Sequence, residues 1–431
     1  MEADCDRARR ADSDASAQQG AGARRASGGG ADRARLCAIY AGGTIGAAGR
    51  PLAPLSGPAF RAAWDRVAVP ALAATAPPAA TDWAALDWTL IEPAIDSTDA
   101  TPADWARLAD AVLAAAQYGA RHGAQEGIQD GPAGAMVLHG TDTLAQSAAA
   151  IALLTTEVGA RSGAVRPLAR LALPWAVTGS MQPLFDPADP VPARLTADGD
   201  AGENLAQTAA FLASAAPGTP PAVVFGGRQL GAARAVKRHT AARAAFGESH
   251  APTERSARLS PAPPSGAVAA ADPARLRARL AALAPHLGRR SVVTLAAGPD
   301  GPGRLAAQID ALVAAPSVAA GALLLAGHGS GNLPGAETLG PAIARARARG
   351  LPVLVATQVP EGGTDPASYA AGAWTAAAGA ASAGAMSLAA AQAKLHVALA
   401  LAAAEGWDGT TLDAYLATDI AGEGAPGAAP P

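Results

Sequence analysis

Leu36-Cys37-Ala38-Ile39-Tyr40-Ala41-Gly42-Gly43-Thr44-Ile45-Gly46 is an apolar run that ends in a glycine pair and a threonine. A second segment, Met136-Val137-Leu138-His139-Gly140-Thr141-Asp142-Thr143, repeats that plan and adds a carboxylate. Short apolar runs closed by glycine read as buried strands. Further runs of this kind lie at 172–177, 222–225, 292–295, 322–325 and 353–356. Alanine-rich helical stretches separate them, at 102–116, 144–158, 201–213, 305–315 and 339–349. Strands alternating with helices point to an α/β protein with a mostly parallel sheet flanked by helices.

A chain of 431 residues exceeds one ordinary core. A Pro-, Ser- and charge-rich linker at 247–273 divides a larger N-terminal α/β domain, 36–246, from a smaller α/β C-terminal domain, 274–420. Residues 1–35 have no periodicity and little to bury, so they read as a disordered tail; 421–431 read as a loose tail. Half the residues are hydrophobic but only 4% are aromatic, so cores of small side chains are expected. A net charge of −3 argues against a general nucleic-acid binder. Two cysteines, Cys5 and Cys37, make neither a disulfide framework nor a metal-ligand spacing. The first 35 residues carry no apolar leader core. The apolar stretch 383–404 contains Gln392, Lys394 and His396, and reads as a packed helix instead of a membrane span. The expectation is a cytoplasmic protein with no metal, no cofactor, and no membrane or nucleic-acid partner.

In open α/β sheets, ligands sit outside the carboxyl ends of the strands, and both threonine segments are such ends. Glycine there permits sharp turns and lets backbone N–H groups approach a ligand or a developing oxyanion. Three readings of Thr44 are open: a nucleophile, a structural turn, or part of a nucleotide loop. The segment matches neither of the common nucleotide-loop patterns. Beside Thr141, Asp142 is suited to a substrate ammonium; alternatively, Asp142 or Thr143 caps the following helix. A threonine nucleophile needs a proton acceptor, and a lysine with a pKa depressed by burial is one candidate. Lys237 is one of very few lysines in an arginine-dominated chain, and reads either as that group or as a solvated loop residue. Asp96-Ser97-Thr98-Asp99 reads either as polar contacts to a small zwitterion or as a turn leading into a helix.

Taken together these segments resemble the asparaginase/glutaminase family, most of all the cytoplasmic type I bacterial L-asparaginases. Gly42–Ile45 matches its Gly-Gly-Thr-Ile turn, and His139–Thr143 matches its His-Gly-Thr-Asp-Thr motif in full. Asp96–Asp99 matches Asp-Ser-Ser-Asp with one Ser-to-Thr change. Thr178-Gly179-Ser180, Asp200–Leu205, Arg234–Lys237, Gly329–Asn332 and Lys394–His396 extend the likeness over 36–404. The resemblance implies a cofactor-free homodimer or homotetramer that converts L-asparagine to L-aspartate and ammonia. It implies Thr44 as first nucleophile, Thr141 activating water or taking part directly, and Lys237 tuning Thr141. Asp142 would bind the substrate amino group, within a pocket formed by Asp96, Ser97 and Thr98. Asn332 would reach a neighbouring subunit's site.

The chain departs from the family pattern in three places. Ala41 replaces a threonine before the glycine pair. Leu52 stands where the family carries a loop tyrosine that serves the nucleophile, and leucine can neither relay a proton nor hydrogen-bond. No cysteine lies near Thr357-Gln358-Val359, where the type I allosteric site has one. An amidase is therefore the leading expectation. A weakened amino-acid-binding or regulatory paralogue and a glutaminase-type specificity are the alternatives.

Overall fold

The computed structural model describes residues 35–75, 81–122, 131–161, 163–189, 191–249, 269–315 and 320–424. The expected disordered tail lies outside these residues except for Arg35, as does 250–268 of the expected linker. The N-terminal sheet contains β1 (Leu36–Gly42), β2 (Asp87–Ile95), β3 (Gly134–Leu138), β4 (Trp175–Thr178), β5 (Ala222–Phe225) and β6 (Arg228–Gly231). Its order is β6-β5-β4-β3-β1-β2, and every pairing is parallel except β5 with β6. All seven residues of β1 and all five of β3 are buried, because helices cover both faces of a parallel sheet. The smaller C-terminal sheet, β7 (Ser291–Ala296), β8 (Ala320–Gly327), β9 (Val353–Thr357) and β10 (Ala381–Ser382), is parallel throughout in that order. The expected α/β architecture with a mostly parallel sheet and a smaller second domain is thus the observed one.

Two sequence expectations need correction. The helix expected over 144–158 stops at Leu154, and Thr156–Arg161 forms a strand antiparallel to Ala164–Arg170. The stop has a local cause. The hydroxyls of Thr155 and Thr156 donate back to the carbonyls of Ile151 and Ala152, and both residues are β-branched. The strand expected at 172–177 is Trp175–Thr178.

Small side chains build one part of the core, as composition suggested, whereas the opposite face of the large sheet is packed by Tyr40, Phe60, Trp64 and Phe185. Ala148, Ala149 and Ala152 of the helix Leu144–Leu154 share one cluster with Ala391, Ala398 and Leu395 of the helix Leu388–Glu405. The second helix also buries Lys394, whose Nζ lies 2.6 Å from Glu423 Oε1, with both side chains 1% exposed. Glu423 in turn accepts the N–H groups of Ile420 and Ala421. The part of the expected loose tail that is described, 421–424, is therefore held against the core. Of the expected linker, Gly247 and Glu248 belong to the strand Phe246–Glu248. Ala269–Ala270 pairs with the strand Ala164–Arg170.

Candidate active site

Strand register brings four loops to one edge of the large sheet. Tyr40 pairs with Leu138, Gly42 with Ile95, and Leu138 with Thr178. The segments starting at Gly43, Asp96, His139 and Gly179 therefore leave the sheet side by side, at its carboxyl edge. Glycine lets them interlock. Gly43 has φ +77°, and a Cβ on it would stand 2.2 Å from Gly140 Cα. A Cβ on Gly140 would stand 2.4 Å from Ser97 Oγ. Neither position admits a side chain without moving backbone.

Hydrogen bonds then fix the second threonine loop. The Asp142 N–H donates to Ser97 Oγ at 3.3 Å, and Thr143 Oγ1 donates to the Ser97 carbonyl at 2.6 Å. Thr143 occupies the N-cap position of the helix Leu144–Leu154, but its hydroxyl makes no cap bond there. The helix-cap reading thus does not account for Thr143. Asp96 behaves as the turn reading expects: its Oδ1 accepts the Thr98 N–H and hydroxyl, and these bonds hold its carboxyl below the usual range.

Lys237 meets this loop from the strand Ala235–Lys237, which is paired antiparallel with Phe246–Glu248. Its Nζ donates to Thr141 Oγ1 at 2.9 Å and to Asp142 Oδ1 at 2.7 Å. Thr141 is 5% exposed, whereas the Asp142 side chain is 57% exposed, so the hydroxyl is sheltered and the carboxylate is open to a ligand.

Thr44 begins a single 3-10 turn, Thr44–Gly46, and is half-buried. Among the described residues none hydrogen-bonds its hydroxyl. The chain continues into a small hairpin, Ala47–Ala48 against Ala53–Pro54, whose turn carries Leu52 at 46% exposure. Buried Tyr40 fastens the base of this hairpin: its hydroxyl donates to Leu55 O at 2.9 Å, with Gly46 O 3.3 Å away. Burial pushes that phenol's pKa up, so it is a neutral anchor and not a base. Sequence reasoning gave Tyr40 no role. Its one signal was a phenol inside an otherwise apolar strand.

Two further motif residues organise loops. Asp200 accepts the N–H groups of Met181 and Gln182, and Asn204 spans Gly179 O and the Gly226 N–H. Asn332 stands apart from the threonine set, on the turn after β8, where its backbone pairs with His328. Its Oδ1 is buried and meets no partner among the described residues. No group of three or more His, Cys, Asp or Glu among those residues is placed to hold a metal. A cavity of about 300 Å³ lined by Leu72, Trp83, Leu195 and Ala206 lies outside the threonine set.

This geometry joins a sheltered hydroxyl, a lysine, an open carboxylate and closely interlocked glycine backbone at the carboxyl edge of the parallel sheet of a two-domain α/β protein. Residues 35–258 match the family model of the asparaginase N-terminal domain, and 302–414 match that of the glutaminase/asparaginase C-terminal domain. The chain belongs to the asparaginase family. The thermostable L-asparaginase from Thermococcus kodakarensis superposes with a TM-score of 0.63 at 23% identity, covering 91% of this chain and 99% of that one. L-asparaginase I from Vibrio cholerae gives 0.64 at 24% identity, again over 91% and 99%. A probable cytoplasmic L-asparaginase from Campylobacter jejuni gives 0.56 at 19%, over 89% and 99%. No curated protein sequence matches significantly. At these identities the structural likeness carries the fold alone.

Proposed function

We propose that the chain hydrolyses the side-chain amide of L-asparagine to L-aspartate and ammonia through a threonine nucleophile. One juxtaposition carries the reading: Lys237 Nζ within hydrogen-bond reach of both Thr141 Oγ1 and Asp142 Oδ1. In the proposed reaction Thr44 Oγ attacks the amide carbon as the tetrahedral oxyanion forms, and its proton passes to the amide nitrogen. The C–N bond then breaks, and that nitrogen leaves as neutral ammonia. Water positioned at Thr141 cleaves the resulting ester and restores the Thr44 hydroxyl. The lysine is suited to assist at Thr141. As an amine it accepts a proton, and as an ammonium it stabilises charge on oxygen.

Asp142 offers its exposed carboxylate to the substrate ammonium. Ser97 Oγ accepts the Asp142 N–H and so keeps its own proton to donate toward the α-carboxylate. Thr98 and Asp96 border that position. The proposal extends to a cytoplasmic homodimer or homotetramer in which Asn332 faces a neighbour's site. No described helix is long and apolar enough to cross a membrane.

Leu52 favours a second reading, an amino-acid-binding paralogue with weak turnover, because a leucine at the hairpin tip supplies no proton relay to Thr44. Glutaminase-type specificity is a variant of the first reading. Ammonia release from L-asparagine and L-glutamine, measured beside the shift in melting temperature each causes, separates these. Release supports the enzyme. A thermal shift without release supports the binding protein.

A further inference from the structure

His139 is fully buried beside Thr141, and the proposed chemistry gives it no task. Its Nδ1 lies 2.8 Å from the carbonyl oxygen of Gly140. A carbonyl oxygen only accepts, so the proton of the ring must sit on Nδ1. Burial depresses the imidazole's pKa and keeps the ring neutral. Nε2 is then an acceptor, and it meets no partner among the described residues. An apolar side chain would fill this place without leaving a buried lone pair unmatched, so the ring's polarity needs a reason.

Gly140 supplies one. It lacks a Cβ because Gly43 and Ser97 press against it, and glycine does little to restrict its own backbone. Something else must fix the rotation of the Gly140–Thr141 peptide. That peptide is planar and trans, so its C=O and N–H point in opposite directions. With the Gly140 oxygen turned inward onto His139, the Thr141 N–H is turned away from the buried ring. Among the described residues it meets no acceptor.

We infer that His139 is a positioning residue: its Nδ1–H···O bond sets the Gly140–Thr141 peptide so that the Thr141 N–H and hydroxyl are presented together to the substrate amide. The inference rests on the proposed amidase reading of Thr141. In that reading the free N–H is a donor for the oxyanion, so its orientation matters in the transition state more than in the ground state.

Two variants test this, His139→Phe, which keeps ring volume and loses the donor, and His139→Asn, whose amide nitrogen can take the place of Nδ1. For His139→Phe we expect kcat for ammonia release to fall about 10- to 100-fold, the scale of a misplaced reacting group, with KM changed less than about threefold. His139→Asn should recover much of that loss. The inference is overturned if His139→Phe keeps kcat within about threefold of wild type, or if both variants lose kcat in proportion to lost folded protein. Should His139→Phe not fold, the ring tautomer of the wild type decides. Nitrogen NMR should find the Nδ1–H form across the neutral range, and an Nε2–H form overturns the inference. Because the tautomer is read without turnover, a wild type that releases no ammonia sinks the amidase reading and leaves this measurement standing.

Discussion

Replacing Lys237 by methionine removes one side chain from two partners at once and keeps its length. The Nζ contacts to Thr141 Oγ1 and Asp142 Oδ1, at 2.9 and 2.7 Å, are both lost. The two losses differ in kind. The Asp142 side chain is 57% exposed, so water replaces the ion pair and the stability change is below about 1 kcal/mol. Thr141 is sheltered, and a hydroxyl deprived of its donor there costs about 1–2 kcal/mol. The melting temperature should therefore fall by only a few degrees. Catalysis should fall far more, by about 10²–10⁴ in kcat, or about 3–5 kcal/mol in the barrier. Lys237→Arg keeps the charge but cannot give or take a proton at neutral pH, and should recover little. The assay is coupled ammonia release at saturating L-asparagine, normalised to folded protein by circular dichroism. A Lys237→Met protein that folds and keeps more than a third of wild-type kcat would refute the role given to this lysine.

Three other outcomes follow from the same structure. Leu52→Tyr restores a phenol at the hairpin tip and should raise kcat at least about tenfold, since a proton-relaying group contributes about 10²–10⁴; an unchanged kcat in ammonia release removes the hairpin from the chemistry. Lys394→Met strands the Glu423 carboxylate in the core and should cost about 3–5 kcal/mol in urea unfolding, with Lys394→Met plus Glu423→Gln recovering at least half. Burial, and then the neighbouring Glu423 charge, push the Asp419 carboxyl up to about 6. The folded state then binds more protons than the unfolded state between about pH 4 and 6, so this group's contribution to stability falls as pH rises through that window. Asp419→Asn, which keeps an acceptor for the Gly422 N–H, should raise the melting temperature at pH 7.5 by a few degrees, about 1–2 kcal/mol. It should also flatten the dependence between pH 4 and 6; an unchanged melting profile contradicts the assignment.

Much of the sheet was legible because parallel strands buried on both faces read as unbroken apolar runs. The runs at 36–40 and 136–138 fall within β1 and β3. Glycine after each run marked the strand ends, and close backbone approach at Gly43 and Gly140 explains why glycine stands there. Most of what escaped depended on partners distant in sequence, the early helix stop being local. Lys394 looked like a polar residue on a packed helix, and nothing in the Gly/Ala/Pro-rich end of the chain marked Glu423 as its buried partner. Thr143 looked like a helix cap, but the neighbouring loop offers its hydroxyl the Ser97 carbonyl. The helix expected to reach 158 stops early because two consecutive threonines turn their hydroxyls back onto it. The pairing of Lys237 with Asp142 spans 95 positions; the scarcity of lysine and the family resemblance both pointed to Lys237 as a partner of Thr141, and neither to its ion pair with Asp142.

The central claim is that two threonines at adjacent strand ends form one amide-hydrolysing site. Ammonia release from L-asparagine by the wild-type protein, set beside Thr44→Ala and Thr141→Ala, tests it most directly. The account predicts release by the wild type and a loss of at least about 100-fold in each variant, with both still folded. Full activity in Thr44→Ala would contradict the nucleophile, and no release from a folded wild type that asparagine still stabilises would contradict the enzyme.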